Sequence, residues 1–204
     1  QAFGAAHAFF MVSGTTGSVQ AMILSVCKRG DKIIMPRNVH RSAINALVLC
    51  GAVPVYVNPG VDPQLGIALG MSLADVERAI EANPDAKAVL VNNPTYYGVC
   101  SDLRNIVKLA HAHGMHFSFS DALPVSAMAA GADMAAVSMH KSGGSLTQSS
   151  MLLIGPAMSE GYVRAVINLT QTTSASYLLL ASLDISRRNL ALRGQETMAR
   201  VAAL

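Results

Sequence analysis

Short apolar runs alternate along this chain with stretches of helical spacing. Residues 32–35, 53–57, 88–91 and 134–139 are brief and rich in branched or apolar side chains, which predicts buried strands. Between and around them, residues 18–28, 42–49, 73–81 and 103–113 carry apolar positions at helical spacing. Helix boundaries are marked as well. Ser72 with Asp75 three residues on resembles a capping box, Asp102 can cap the helix after it, and Gly114 suits a helix C-terminus. From Glu160 onward the pattern is mainly helical, over 162–169 and 176–192. Repeated β-α-β units predict a mostly parallel sheet flanked by helices, with any ligand site beyond the carboxyl ends of the strands. His40, Thr95 and Lys141 all fall on segments that follow such strands.

Composition narrows the class. Hydrophobic residues make up 51% of the 204-residue chain and charged residues 13%, which excludes disorder and suggests more buried surface than a lone monomer needs. The formal charge of +3 comes without a Lys/Arg cluster interleaved with aromatics, so nucleic-acid binding is not indicated. Cys27, Cys50 and Cys100 are widely spaced, which fits a reducing cytoplasm and offers neither a zinc site nor a disulfide framework. No apolar run reaches the ~20 residues of a membrane span. The whole of 1–204 reads as one domain. It begins at Gln1 in sequence that already reads as structured, and it ends inside a helical pattern, as an internal piece of a longer protein would.

Three constellations carry candidate chemistry. Lys141 follows the strand at 134–139 and precedes a loop of small and hydroxyl residues. A lysine delivered into such a pocket can be partly desolvated, which frees its amine as a nucleophile; a lysine that merely ends a strand is the alternative. Ser13-Gly14-Thr15-Thr16-Gly17-Ser18 opens the first helix, and its free N–H groups and hydroxyls could cradle an anion; the alternative is an ordinary Ser/Thr/Gly cap. It is not a P-loop, because the Gly-Lys-Ser/Thr ending is missing. His40 lies in Arg37-Asn38-Val39-His40-Arg41-Ser42, where a histidine is either a ligand contact or simply solvated. His111 and His113 are two apart on a predicted helix and point to different faces, so exposed helix-end histidines are the reading for both.

The stretch 136–150, through Ser138, His140, Lys141, Gly144, Ser145, Thr147, Gln148, Ser149 and Ser150, resembles the pyridoxal-phosphate attachment site of the ornithine/lysine/arginine decarboxylases. The similarity continues through Phe9-Phe10-Met11, Pro36-Arg37-Asn38-Val39-His40, Asn92-Asn93-Pro94-Thr95-Tyr96-Tyr97-Gly98 and Gln171-Thr172-Thr173-Ser174, and is greatest to the compact bacterial members. The resemblance implies the large domain of a fold type I pyridoxal-phosphate enzyme, lacking its C-terminal domain. It implies that Lys141 holds the cofactor covalently, and that Thr16, Gly17 and Ser18, with Ser138, bind its phosphate. His40 would stack on the pyridine ring and, with Lys141, manage a proton. His140 would touch the phosphate or the lysine surroundings, and Thr95 would bond near the ring hydroxyl. Tyr96 and Tyr97 are equally readable as packing residues. Thr173 would reach the neighbouring subunit's cofactor, which implies a homodimer or higher homo-oligomer with shared sites. The implied reaction is decarboxylation of a basic amino acid (arginine, else lysine or ornithine) to a polyamine precursor and CO2.

One block departs from the family pattern. The family has Asp-Glu-Ala-His-Gly-Ala before its His-Phe-x-Phe-Ser-Asp segment, and the first Asp pairs with the pyridine nitrogen. Here His113-Gly114-Met115 runs directly into His116-Phe117-Ser118-Phe119-Ser120-Asp121. Asp121 matches the later Asp of that pattern, and Asp133 matches nothing catalytic. Either a short block is omitted between 115 and 116, the favoured explanation, or the deletion is real and the sheet is rebuilt around 115–119. A real deletion opens the alternative of an inactive pseudoenzyme that keeps cofactor or subunit binding. A different fold type I reaction, such as transamination, is the third reading.

Overall fold

The computed structural model describes residues 3–120 and 126–202. Its elements follow the chain as β1 (His7–Met11), α1 (Gly14–Leu24), β2 (Lys32–Pro36), α2 (Arg41–Cys50), β3 (Val53–Val57), α3 (Leu73–Ala82), β4 (Ala88–Asn92) and α4 (Leu103–Ala112). Then come β5 (His116–Ser120), α5 (Ala127–Ala130), β6 (Met134–Val137), α6 (Met139–Ser142), β7 (Ser150–Ile154), α7 (Glu160–Thr170) and α8 (Tyr177–Ala202). The strands form one sheet in the order β1-β7-β6-β5-β4-β2-β3. β7 runs antiparallel to both its neighbours, and the pairings from β6 across to β3 are parallel.

Alternate residues of each strand feed opposite faces, as the two-residue period requires. Ile34, Val89, Val91, Ala135, Val137 and Leu153 pack on one side with α3, α4 and Leu183 of α8. Ile33, Met35, Ala88, Leu90, Met134, Ala136 and Leu152 pack on the other with α1, α2 and α7. A sheet buried on both faces needs apolar residues at consecutive positions, which is why 32–35 and 134–137 read as continuous runs.

The predicted caps form. Ser72 Oγ accepts from the Asp75 amide at 3.1 Å, and Asp102 accepts from the Asn105 amide at 3.3 Å. Gly114 takes φ of +68° just after α4, a conformation glycine adopts without strain. Two boundaries near the site differ from expectation. α1 begins at Gly14 rather than Ser18, so the Thr16-Gly17-Ser18 segment lies inside the helix. The strand before Lys141 stops at Val137, because Ser138 already caps α6. The sequence pattern also left β1 and β7 unassigned, while a strand was expected after Gly114. β5 joins β4 over five residue pairs and β6 over three, directly after Met115.

Candidate active site

The sheet order turns back on itself at β2. The chain moves outward from β2 to β3, then returns to β2's other side as β4. β2 pairs with β3 over five residues but with β4 over only Ile33–Ala88 and Ile34–Val89. Toward their carboxyl ends β2 and β4 are therefore unpaired with each other, and a crevice opens where open α/β sheets bind ligands. A cavity of about 760 Å³ occupies it, within the ordinary range for a small-molecule site.

Several segments converge on that cavity. The turn after β2 brings Asn38, Val39 and His40; the end of β4 brings Asn92, and the turn after it brings Pro94, Thr95, Tyr96 and Tyr97. The first turns of α1 bring Thr15 and Val19, and the segment after β6 brings Ser138, Lys141 and Ser142. Gly66 and Ala68 come from the loop between β3 and α3, which the Val61–Ala68 bridge folds into a small hairpin.

His40 caps α2. Its Nδ1 accepts from the Ser42 amide at 3.2 Å and lies 2.8 Å from Ser42 Oγ. An Nδ1 that accepts a backbone proton leaves the neutral ring's own proton on Nε2. Thr95 is buried, and its hydroxyl oxygen accepts from the Val99 amide at 3.2 Å, so this oxygen anchors a turn before any ligand is considered. Ser138 Oγ hydrogen-bonds Thr15 Oγ1, joining the start of α1 to the start of α6 across 123 residues of sequence.

Lys141 sits in the single turn of α6 and is exposed, so the expected partial desolvation is absent from this chain by itself. The loop beyond it is braced elsewhere. Ser186 of α8 donates to the Gly143 carbonyl, and Ser182 accepts from the Leu146 amide at 3.3 Å. Gly14 N–H donates to the Gln148 carbonyl at 2.8 Å, with Gln148 itself at a φ of +73°. The loop is thereby tied to both α1 and α8.

Other expected site residues lie elsewhere. Ser18 is fully buried, and its Oγ lies 2.9 Å from Ser150 Oγ, so its hydroxyl is consumed within the protein. Gly17 is buried where an added Cβ would come 3.0 Å from Ser13 Cβ, and Thr16 is exposed without lining the cavity. The physical reason is α1's early start, which turns Ser18 inward toward β7 and leaves Thr15 at the cavity. His140 also turns away: its Nδ1 donates to the Ser149 carbonyl at 2.9 Å. Thr173 is exposed between α7 and α8 and does not line the cavity. Asp121 lies outside the described residues. His111 is an exposed residue of the last turn of α4, as expected, and it also has a partner. Its Nε2 lies 2.9 Å from the buried Asp133 carboxylate, which His116 also approaches at 3.8 Å. Thr15 belongs to the segment read as an anion cradle but not to the phosphate set that the resemblance implies, and Asn38, two residues before His40, was not singled out.

The amine of Lys141 suits an aldehyde, and the Thr15 and Ser138 hydroxyls suit a phosphate. Among the described cavity residues no carboxylate is present to face a protonated ring nitrogen.

The model of the Orn/Lys/Arg decarboxylase major domain matches residues 1–203. The chain belongs to the Orn/Lys/Arg decarboxylase family. An arginine decarboxylase of Bacillus subtilis is 51% identical over 207 residues, covering 96% of this chain and 42% of the relative. That aligned length exceeds the 204 residues of the chain, so the relative carries residues with no counterpart here. A lysine decarboxylase structure from Francisella novicida superposes with a TM-score of 0.83 at 22% identity, over 93% of this chain and 29% of that one. A Thermus thermophilus aspartate aminotransferase variant superposes with a TM-score of 0.70 at 18% identity, over 96% and 56%. The fold is thus that of the fold type I pyridoxal-phosphate enzymes, and the family is one of decarboxylases. This decarboxylase-family chain spans less than half the length of its curated arginine decarboxylase relative.

Proposed function

We propose that the complete protein decarboxylates a basic amino acid, arginine first, with pyridoxal 5'-phosphate held by Lys141. The observation that carries the reading is the meeting of Lys141, Ser138, Thr95 and His40 on one cavity at the carboxyl ends of parallel strands. The bound cofactor supplies an electron sink for the carbanion left by CO2. The protein's share is positional. Lys141 holds the aldehyde end; Ser138 and Thr15 donate to the phosphate in place of the buried Ser18. His40, with its Nε2 proton, stands where a proton can be held beside the reacting carbon. The half identity to an enzyme named arginine decarboxylase favours arginine over lysine or ornithine.

The proposal extends to a homodimer or higher homo-oligomer. Thr172, Thr173 and Ser174 are exposed, and beside them Gln171 Oε1 is buried without a hydrogen-bond partner among the described residues. A second subunit docking on this segment would supply one. Supply of polyamine precursors in the cytoplasm completes the reading.

A second reading has its own support. β5 follows Met115 without the family's Asp-bearing block, and the sheet closes around it. Such a chain would bind the cofactor and turn over poorly, because no carboxylate among the described cavity residues keeps the ring nitrogen protonated. Release of CO2 from labelled arginine, lysine and ornithine by the complete protein tests both. Release from arginine above the other two supports the first reading. Cofactor binding without release from any supports the second.

A further inference from the structure

Tyr96 and Tyr97 line the same cavity as Lys141, yet they are 94% and 55% exposed. Rings this open are not core packing, and a hydrophobic ring left in water at a cavity mouth points to an occupant. The two rings stand edge to face, with centroids 5.4 Å apart and planes at 89°. They form a corner with an open aromatic face.

The corner is held in place by the turn beneath it. Thr95 N–H donates to the Val99 carbonyl at 2.8 Å, and Gly98 N–H donates to the Thr95 carbonyl at 2.9 Å. Ser101 N–H donates to Asn93 Oδ1 at 2.5 Å, with Asn93 and Thr95 both buried. Gly98 closes the turn at a φ of +82°. Two buried polar anchors thus fix the backbone on either side of two exposed rings, so the rings are presented before any ligand arrives.

The charges of the cavity decide what the corner can take. Among the described lining residues, the ionisable side chains besides the two tyrosines are His40 and Lys141, and none is Asp or Glu. A cationic substrate tail therefore needs an attraction other than an ion pair with these residues. The face of an aromatic ring provides one. A guanidinium is planar and weakly hydrated on its faces, so it can lie on a ring while its edges keep their water. An ammonium is a compact, strongly hydrated charge and gains less from the same surface. The chain already stacks guanidinium on rings elsewhere: Arg37 lies 4.6 Å from the Tyr56 centroid and Arg164 lies 5.0 Å from that of Phe9.

We propose that the Tyr96–Tyr97 corner reads the planar guanidinium end of the substrate and sets a preference for arginine over lysine. The inference rests on the decarboxylase reading above and adds the residues that choose the substrate. Calorimetric titration of the complete, cofactor-loaded protein tests it, with 4-aminobutylguanidine and 1,5-diaminopentane as carboxylate-free probes of the two tails. Tyr96→Ala should weaken the guanidine by about three- to fivefold and the diamine by less than about twofold, and Tyr96→Phe should keep the wild-type ratio. Equal weakening of both probes, or of neither, overturns the proposal while leaving the decarboxylase reading in place. A Tyr96→Ala protein whose sedimentation shifts to a smaller species, with both affinities falling together, assigns the ring to a subunit contact and also overturns it. A wild-type protein that binds neither probe and releases no CO2 from any basic amino acid overturns both readings.

Discussion

The hydroxyls of Ser18 and Ser150 lie 2.9 Å apart, with both residues fully buried. Ser150 Oγ also donates to the Val137 carbonyl at 2.9 Å, so its one proton is spent and Ser18 must be the donor in the pair. The bond clips α1 to β7 and, through Val137, to the strand that leads to Lys141. It follows that Ser150→Ala strands a buried donor and should cost about 1–3 kcal/mol, whereas Ser18→Ala should cost nearer ~1 kcal/mol. Urea unfolding of both variants checks the order. Loss of cofactor affinity in Ser18→Ala at unchanged stability would return Ser18 to the phosphate.

Thr15 and Ser138 face the cavity with their mutual hydrogen bond, and they carry the phosphate assignment instead. A hydrogen bond to a charged group is worth about 1.5–3 kcal/mol, so Ser138→Ala should weaken pyridoxal phosphate binding at least about tenfold. Its folding stability should change by less than ~1 kcal/mol, since the residue is half-buried. Cofactor titration followed by absorbance, beside a melting curve, separates the two effects.

The loop after Lys141 depends on close contact with α8. A Cβ on Gly143 would press into the Met139 side chain and meet Ser186 Oγ at 3.0 Å and the Met139 carbonyl at 3.1 Å. Two of those contacts involve atoms fixed by hydrogen bonds. Gly143→Ala should therefore destabilise by about 1–3 kcal/mol, the range for overpacking. It should also slow adduct formation at Lys141, because relief of the clash moves the loop. Ser186→Ala should act in the same direction and more weakly. Stopped-flow absorbance on adding cofactor reads the rate.

At the opposite end of the sheet, the Asp133 carboxylate 3.8 Å from His116 holds that imidazole above its ordinary pKa of 6.5, with burial opposing. A raised folded pKa means the protonated ring is favoured by folding. Its contribution is full below about pH 6.5 and is lost as pH rises through the higher folded value. The difference in Tm between wild type and His116→Asn should shrink from about pH 6 to about pH 8.5. His111 shares the same carboxylate oxygen at 2.9 Å, so His111→Asn and the double variant are needed to isolate the term. A difference that grows with pH would reverse the assignment.

Much of this architecture was legible in the sequence, and the exceptions have physical causes. β2, β4 and β6 announce themselves because sheets covered on both faces demand unbroken apolar runs, and the half-buried edge strand β3 does so through its branched residues. β7 is as buried as any of them, but Ser149 and Ser150 made its start look like the end of the lysine loop. β5 is signalled by the helix end at Gly114 rather than by its own period, since so few residues do not separate a strand from a buried helical segment. At the site, Lys141, His40, Thr95 and Ser138 were named from motif positions, and all four line the cavity. Ser18 and His140 lie off the cavity, bonded within the chain, because hydroxyl or imidazole chemistry says nothing about which way a side chain turns. A start of α1 four residues earlier rotates Thr15 outward and Ser18 inward. His140 sits beside Lys141 in sequence, yet consecutive residues of a helical turn point some 100° apart.

Lys141 is the residue proposed to hold the cofactor. Borohydride reduction of the complete protein after incubation with stoichiometric pyridoxal phosphate, followed by peptide mass spectrometry, tests it directly. A single reduced phosphopyridoxyl adduct on Lys141 at near-unit occupancy, lost in Lys141→Ala, is expected. Adducts spread over Lys28, Lys87 and Lys108, or persisting at the same occupancy in Lys141→Ala, would contradict it.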